Sequence, residues 1–359
     1  MLTIFRGWVN RFLSDEEAVL LALVIISFFV VILTMGRVLA PLLTGIVLAY
    51  VMQGMIKLFE RYHVPNGLAV SGTFILFLGG FMGLLFFVIP RVWRQLRRLF
   101  DELPNMAQQT TDMLKDLPVS YPSLVSEAQI NSWGEMLNSE VGDIGQWLLS
   151  FSLSQLPVLV AVAVYMVLVP ILVLFILKDK DIILDWCRSF LPAKRPLMKK
   201  IAEEMDVQIA NYVRGKVIEI IIVGGATYIF FKIFGLDYAA LLAFLVGLSV
   251  IVPYVGFVVV TVPVVIIAYL QFGWSETFFY LLAWYTIIQG LDGFVIVPLL
   301  FSDAVNLHPI AIITAVLVFG SWWGLWGVFF AIPLATLIKV IMTSWPQSSG
   351  ASASASSPL

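Results

Sequence analysis

The chain is poor in almost everything that soluble enzyme sites are built from. Of its 359 residues only 12% are charged, against about a quarter in ordinary globular domains. Cys187 is the sole cysteine, which excludes an intrachain disulfide and a four-thiolate zinc site. The two histidines, His63 and His308, lie far apart in sequence, so no metal site is expected. No Gly-rich phosphate loop ending in Lys-Ser or Lys-Thr is present, nor a His-Glu-x-x-His pair or a Gly-x-Ser-x-Gly elbow. Neither an enzyme nor a cofactor is expected, and any active transport has to be driven by a gradient rather than by ATP. The net charge of -2 gives no reason to expect a nucleic-acid partner.

What the chain has in quantity is apolar sequence: 60% hydrophobic residues and a mean hydropathy of +0.98. This is the composition of an all-α polytopic membrane protein, with membrane lipids as its surroundings. Hydropathy places spans at Leu68–Ile89, Pro157–Leu177, Val213–Phe234 and Thr277–Leu300. The runs Ala18–Thr34 and Val38–Ile56 follow each other so closely that they read as a helical hairpin. Acidic residues before the first run, and no small-x-small site after it, argue against a signal peptide. Tyr238–Leu270 and His308–Met342 are too long for single ordinary spans. The first is split by Pro253 and Gly256, the second by Gly320–Gly327. The total is about eight transmembrane helices, some broken or re-entrant.

Four regions follow: an N-terminal three-span unit (1–90), a polar amphipathic helical insert (91–154), a C-terminal transport core (155–345), and a Ser/Ala-rich tail (346–359) expected to be disordered. The insert opens with RVWRQLRRLF, a basic amphipathic helix that continues the third span into the interface. Between the fourth and fifth spans, Leu197, Ile201, Met205 and Ile209 recur every four residues. They share one helical face, set to pack on the bundle or lie on the membrane surface. With the N-terminus in the cytoplasm, roughly 14 of the 21 lysines and arginines fall on the cytoplasmic side. The cluster at Arg91–Arg98 runs against that bias.

Candidate functional residues are those that conflict with lipid. A carboxylate at the bilayer centre costs roughly 2.5–3.5 kcal/mol on insertion scales, so Asp292 needs a cavity, a cation or a basic partner, or a place near the interface. Gln289 lies three residues earlier on the same face, and Gly293 follows it. Pro253, Tyr254 and Gly256 either leave carbonyls free inside the bundle or merely kink a helix. Arg214 and Glu219 open the fifth span together with Lys216; Arg214 binds an anion, pairs with a carboxylate, or snorkels to headgroups. Asp303 and Asn306–Pro309 read as a polar turn with a helix cap, and His308 more readily as cap or packing than as a titrating site. Trp322, Trp323 and Trp326 most simply form an interfacial belt.

The order of these features resembles the autoinducer-2 exporter family of bacterial membrane proteins, in particular its PerM-like branch. The resemblance rests on Asn211-Tyr212-Val213-Arg214-Gly215 before the fifth span and on Val252-Pro253-Tyr254-Val255-Gly256, which matches an Ile/Val-Pro-x-x-Gly motif. Gln289–Pro298, Asn306–Pro309 and Gly320–Pro333 resemble its C-terminal block. The resemblance implies a homo-oligomeric inner-membrane transporter, with a pentamer as one candidate assembly. Its members are linked to export of a small signalling molecule and to sodium/proton exchange. Three readings stand: an exporter of a small polar or amphipathic solute, an antiporter using Asp292, and a non-transporting envelope or division scaffold docking through the insert.

Overall fold

A computed structural model describes residues 16–115, 155–192, 194–301 and 307–344, with isolated positions between 130 and 142. Among them the secondary structure is helical throughout. The elements are α1 (Glu16–Arg61), α2 (Asn66–Gly83), α3 (Ile89–Lys115), α4 (Gln155–Lys178), α5 (Lys180–Ser189), α6 (Pro196–Ile233), α7 (Ala239–Ser249), α8 (Val255–Phe272), α9 (Glu276–Leu291), α10 (Val297–Phe301) and α11 (Pro309–Ser344). Single π-helical turns join α2 to α3 at Leu84–Val88 and α9 to α10 at Asp292–Ile296.

Six helical segments are long and apolar enough to cross a membrane, two of them the halves of α1 at Glu17–Gly36 and Val38–Arg61, and up to seven if the pair Val162–Lys178 and Lys180–Ser189, bent by 77°, is one broken span. The remaining segment in the sequence count of eight is α6, which carries Lys216, Glu219 and Lys232 in its apolar half. The helical hairpin expected at 18–56 is not formed. Helix α1 runs unbroken for 46 residues through Gly36 and Pro41, about 69 Å at 1.5 Å per residue. Proline is tolerated inside an apolar helix when neighbouring groups or small local adjustments compensate for the missing N–H.

The chain divides into two compact units, each discontinuous in sequence. One comprises residues 1–54, 172–215 and 300–359. Its core joins Leu21 of α1, Met198, Ile201 and Met205 of α6, and Val340 of α11. The four-residue repeat at the start of α6 therefore packs on neighbouring helices. Glu17 caps this helix: its Oε1 accepts from the Met198 N–H at 2.8 Å, satisfying one of the orphan donors of the first turn. A second cluster joins Phe29 to Phe319, Ala331 and Leu334.

The other unit comprises residues 55–171 and 216–299. Its core is one continuous cluster from α6 (Val223, Phe231), α7 (Leu242, Val246), α8 (Val264, Ala268) and α9 (Leu281, Tyr285), with Val92 of α3 closing it. Helices α6 and α7 meet at a glycine pair. A Cβ on Gly247 would stand 3.1 Å from Gly224 Cα, so no larger residue fits without moving a backbone. Helix α3 continues the third span as expected. Its Gln95 Oε1 accepts from Leu241 N at 2.8 Å and its Glu102 accepts from the Tyr238 hydroxyl. Tyr238 itself sits at φ 56° as the N-cap of α7 and has no side-chain cap, so α3 supplies one.

Candidate functional site

The second unit places a buried charge cluster beside a broken helix. On α6, Lys216 Nζ lies 2.8 Å from Glu219 Oε2, an i,i+3 pair whose side chains are only 6% and 2% exposed. A buried ion pair persists only when its remaining hydrogen-bonding capacity is met. Lys216 meets part of it by donating to the carbonyl of Val250 at 2.7 Å. Val250 is the C-cap of α7, where carbonyls lose their intrahelical donors. The ammonium is thus the cap of a helix that stops inside apolar sequence, with the favourable sign for a helix C-terminus. The Gly224–Gly247 approach is what brings α7 close enough to α6 for this contact.

The break occupies residues 250–254. Val252 N reaches back to Ser249 O at 3.0 Å and Gly256 N to Val252 O at 3.0 Å. Pro253 cannot donate at all. Tyr254 is held at φ 63°, a backbone conformation unusual for a tyrosine, and its side chain is 53% exposed. Gly256 is buried, and a Cβ there would run into the Ser249 carbonyl oxygen. The Pro-x-x-Gly motif is therefore a tight, backbone-on-backbone break and more than a gentle kink.

Asp292 follows the last residue of α9 and opens a π-helical turn, a local departure often found at functional positions. The side chain is half-buried, and its Oδ1 is shielded from solvent with no hydrogen-bond partner. Both Lys216 and Glu219 lie within electrostatic range of it. Two carboxylates thus lie in range of one ammonium, and with all three groups ionised the cluster would carry a formal charge of −1. A proton, a small cation or a donor-bearing polar solute is what would balance such a surplus. One turn earlier, Gln289 Nε2 donates to the Tyr285 hydroxyl at 3.0 Å, which lies 2.9 Å from Thr261 Oγ1 on α8. This polar chain ties α9 to the helix that follows the break. Gly293 is exposed, with open space around its Cα.

Of the residues singled out in the sequence, the structure gathers Asp292 with Glu219, and links Gln289 to α8. Lys216 is the residue that ranking by unusual charge underrates. Its signal was the i,i+3 spacing to Glu219 in an apolar helix. Thr261 and Tyr285 carry no such signal. Arg214 belongs to the other unit, where it packs over Gly54: a Cβ on that glycine would lie 2.8 Å from Arg214 Cδ. His308 is exposed and stands before α11, its Nδ1 accepting from Ile310 N at 3.3 Å, so it is a helix cap. Asp303 and Asn306 lie outside the described residues. Trp322 is exposed, but Trp323 and Trp326 both stack on Phe330 at about 6 Å.

Residues 19–347 match the family described as AI-2E family transporter. The chain is 44% identical over 347 residues to the candidate permease PerM of Escherichia coli (strain K12), covering 97% of this chain and 98% of that one. It is 28% identical over 315 residues to the candidate transport protein YueF of Bacillus subtilis (strain 168), covering 83% and 82%. A second protein of that organism, the candidate transport protein YrrI, is 22% identical over 318 residues, covering 86% and 87%.

Proposed function

The chain belongs to the AI-2E transporter family, a multi-pass membrane transport family, and we propose that it is a secondary transporter exporting a small polar or amphipathic solute of the autoinducer-2 type. The observation that carries this reading is Oδ1 of Asp292, solvent-shielded and without a hydrogen-bond partner, in electrostatic range of the Lys216–Glu219 pair at a broken helix. A hydroxyl-rich solute offers donors to Asp292 and to Gln289. The break at 250–254 supplies the irregular backbone that transporters use where a helix must line a pathway. The protein works as a homo-oligomer in a bacterial inner membrane, with the N-terminus on the cytoplasmic side favoured by the lysine and arginine balance.

Solute efflux from loaded proteoliposomes tests this directly. Wild-type protein releases labelled solute, and Asp292→Asn, isosteric but uncharged, slows release by about a hundredfold, the usual weight of a charge-assisted contact of roughly 3 kcal/mol. Efflux unchanged in Asp292→Asn removes that residue from the pathway. A second reading is favoured by the same unsatisfied carboxylate: exchange of sodium for a proton at Asp292. It is separated by an internal pH dye. Sodium-driven proton movement without solute efflux selects the antiporter; solute efflux with no sodium-dependent proton movement rejects it.

A further inference from the structure

Helix α3 carries a feature that the transport reading leaves unused. Immediately after the apolar stretch that ends at Pro90 come four arginines in two turns: Arg91, Arg94, Arg97 and Arg98. All four are exposed. Arg91, Arg94 and Arg98 follow i, i+3, i+7 spacing, so they line one flank of the helix over about 10 Å. Arg97 lies on another side, its guanidinium 5.2 Å from the centre of the Trp93 ring. Among the described residues none of the four forms an ion pair. The nearest acidic groups on the helix are Asp101, exposed, and Glu102, one of whose oxygens accepts from the Tyr238 hydroxyl.

The flank is also held in place. Val92 is buried in the core of its unit, and Leu96, Leu99 and Met106 pack against the same core. Gln95 and Glu102 fix the helix rotationally through their bonds to Leu241 N and Tyr238. A helix pinned along one side presents the other sides in one orientation, which removes most of the ordering cost of binding.

Position identifies the ligand. From Asn66 to Pro90 the chain is about 37 Å of continuous helix, enough to cross the roughly 30 Å hydrocarbon core and end among the headgroups. The half-exposed Trp93, an interfacial residue type, marks the same level. Guanidinium forks at headgroup depth match phosphate geometry better than any other partner available there. We propose that Arg91, Arg94 and Arg98 form a binding site for the phosphate headgroup of an anionic phospholipid. This site is independent of the solute or ion that the protein moves.

The test is titration of the full chain in neutral detergent with phosphatidylglycerol, and separately with phosphatidylcholine and inorganic phosphate, read as apparent affinity by native mass spectrometry. Phosphatidylglycerol binds more tightly than phosphatidylcholine, and its advantage shrinks as salt rises. In Arg91→Gln/Arg94→Gln/Arg98→Gln that advantage falls on the order of a hundredfold, at about one surface charge's contribution per arginine. The variant Lys194→Gln/Lys199→Gln/Lys200→Gln removes the same charge from an exposed part of α6 and its approach, and keeps the advantage. Equal binding of the two lipids overturns the proposal. So does an advantage insensitive to salt, an equal loss in the lysine variant, or inorganic phosphate competing at headgroup-like concentrations. Because the three arginines are exposed, circular dichroism of the arginine variant is expected to match wild type. Should it not, the single variants Arg91→Gln, Arg94→Gln and Arg98→Gln are each expected to keep the wild-type spectrum and to lose about fivefold of the preference; no loss in any of them counts against the site.

Discussion

Two long apolar runs in this protein are broken by glycine and proline, and they are broken in different ways. Between α7 and α8 the chain leaves the helix at Val250, and a buried ammonium closes the end. In α11 the departure is a single residue, Gly324 at φ 61° and ψ −137°, and helical structure resumes at once. Both depend on a glycine packed against a carbonyl: Gly256 on Ser249 and Gly327 on Phe319. Around Gly324 the neighbours are aromatic. Trp323 and Trp326 stack on Phe330, and the Tyr212 hydroxyl donates to Phe329 O at 2.8 Å. Around the first break they are charged. An aromatic lining packs the bend with groups that carry no charge to change. A lining of Lys216 and Glu219, with Asp292 in electrostatic range, responds to the protonation or ligation of its members, which is why we seek transport at the first break and scaffolding at the second.

The largest expected effect comes from unbalancing the charged break. Lys216→Met leaves Glu219 buried without its partner and frees the Val250 carbonyl, destabilising the protein by about 3–5 kcal/mol. The double variant Lys216→Met/Glu219→Leu recovers the part of that stability lost to the unpaired charge, because replacing both partners by apolar groups is close to neutral, yet is expected to remain inactive in efflux. A thermal-shift series in detergent reads the first statement, and proteoliposome efflux the second. If the double variant transports normally, the charged break is structural and the contrast with α11 collapses.

Next in size are the two glycines. Gly256→Ala and Gly327→Ala each force a Cβ into a carbonyl, at a cost of about 1–3 kcal/mol. Both should lower the unfolding temperature, while only Gly256→Ala should also depress efflux per folded molecule. Equal effects of both on efflux would show that the second break takes part in transport. The smallest change is Tyr212→Phe, which deletes one buried hydrogen bond to Phe329 O and should lower stability by about 1 kcal/mol with efflux retained. Efflux measured alongside thermal stability separates these outcomes.

Much of the helical inventory was legible, since apolar runs longer than about 18 residues admit few alternatives. The splits at Pro253/Gly256 and within Gly320–Gly327 were legible too, because proline and glycine punctuate a backbone locally. The hairpin between Ala18 and Ile56 was misread for the complementary reason. Two apolar runs separated by three residues look like a hairpin to hydropathy, but a continuous helix keeps its hydrogen bonds where a tight turn gives some up. At the candidate site, Asp292 and Gln289 announced themselves as polar groups in apolar sequence. The partners of Gln289 did not: a threonine on α8 and a tyrosine on α9 are ordinary residues in membrane helices until packing puts them 2.9 Å apart.

By itself the sequence determined that this chain is a bundle of membrane helices, where its backbone breaks, and which family it resembles. Those properties follow from composition and local stereochemistry. Only the tertiary structure decided that Lys216 caps the broken end of α7, that Asp292 joins the charges on α6, and that Arg214 packs over Gly54 in the other unit. Each depends on contacts between residues many positions apart, and in an apolar chain a charge's role is set by whichever neighbour packing delivers to it.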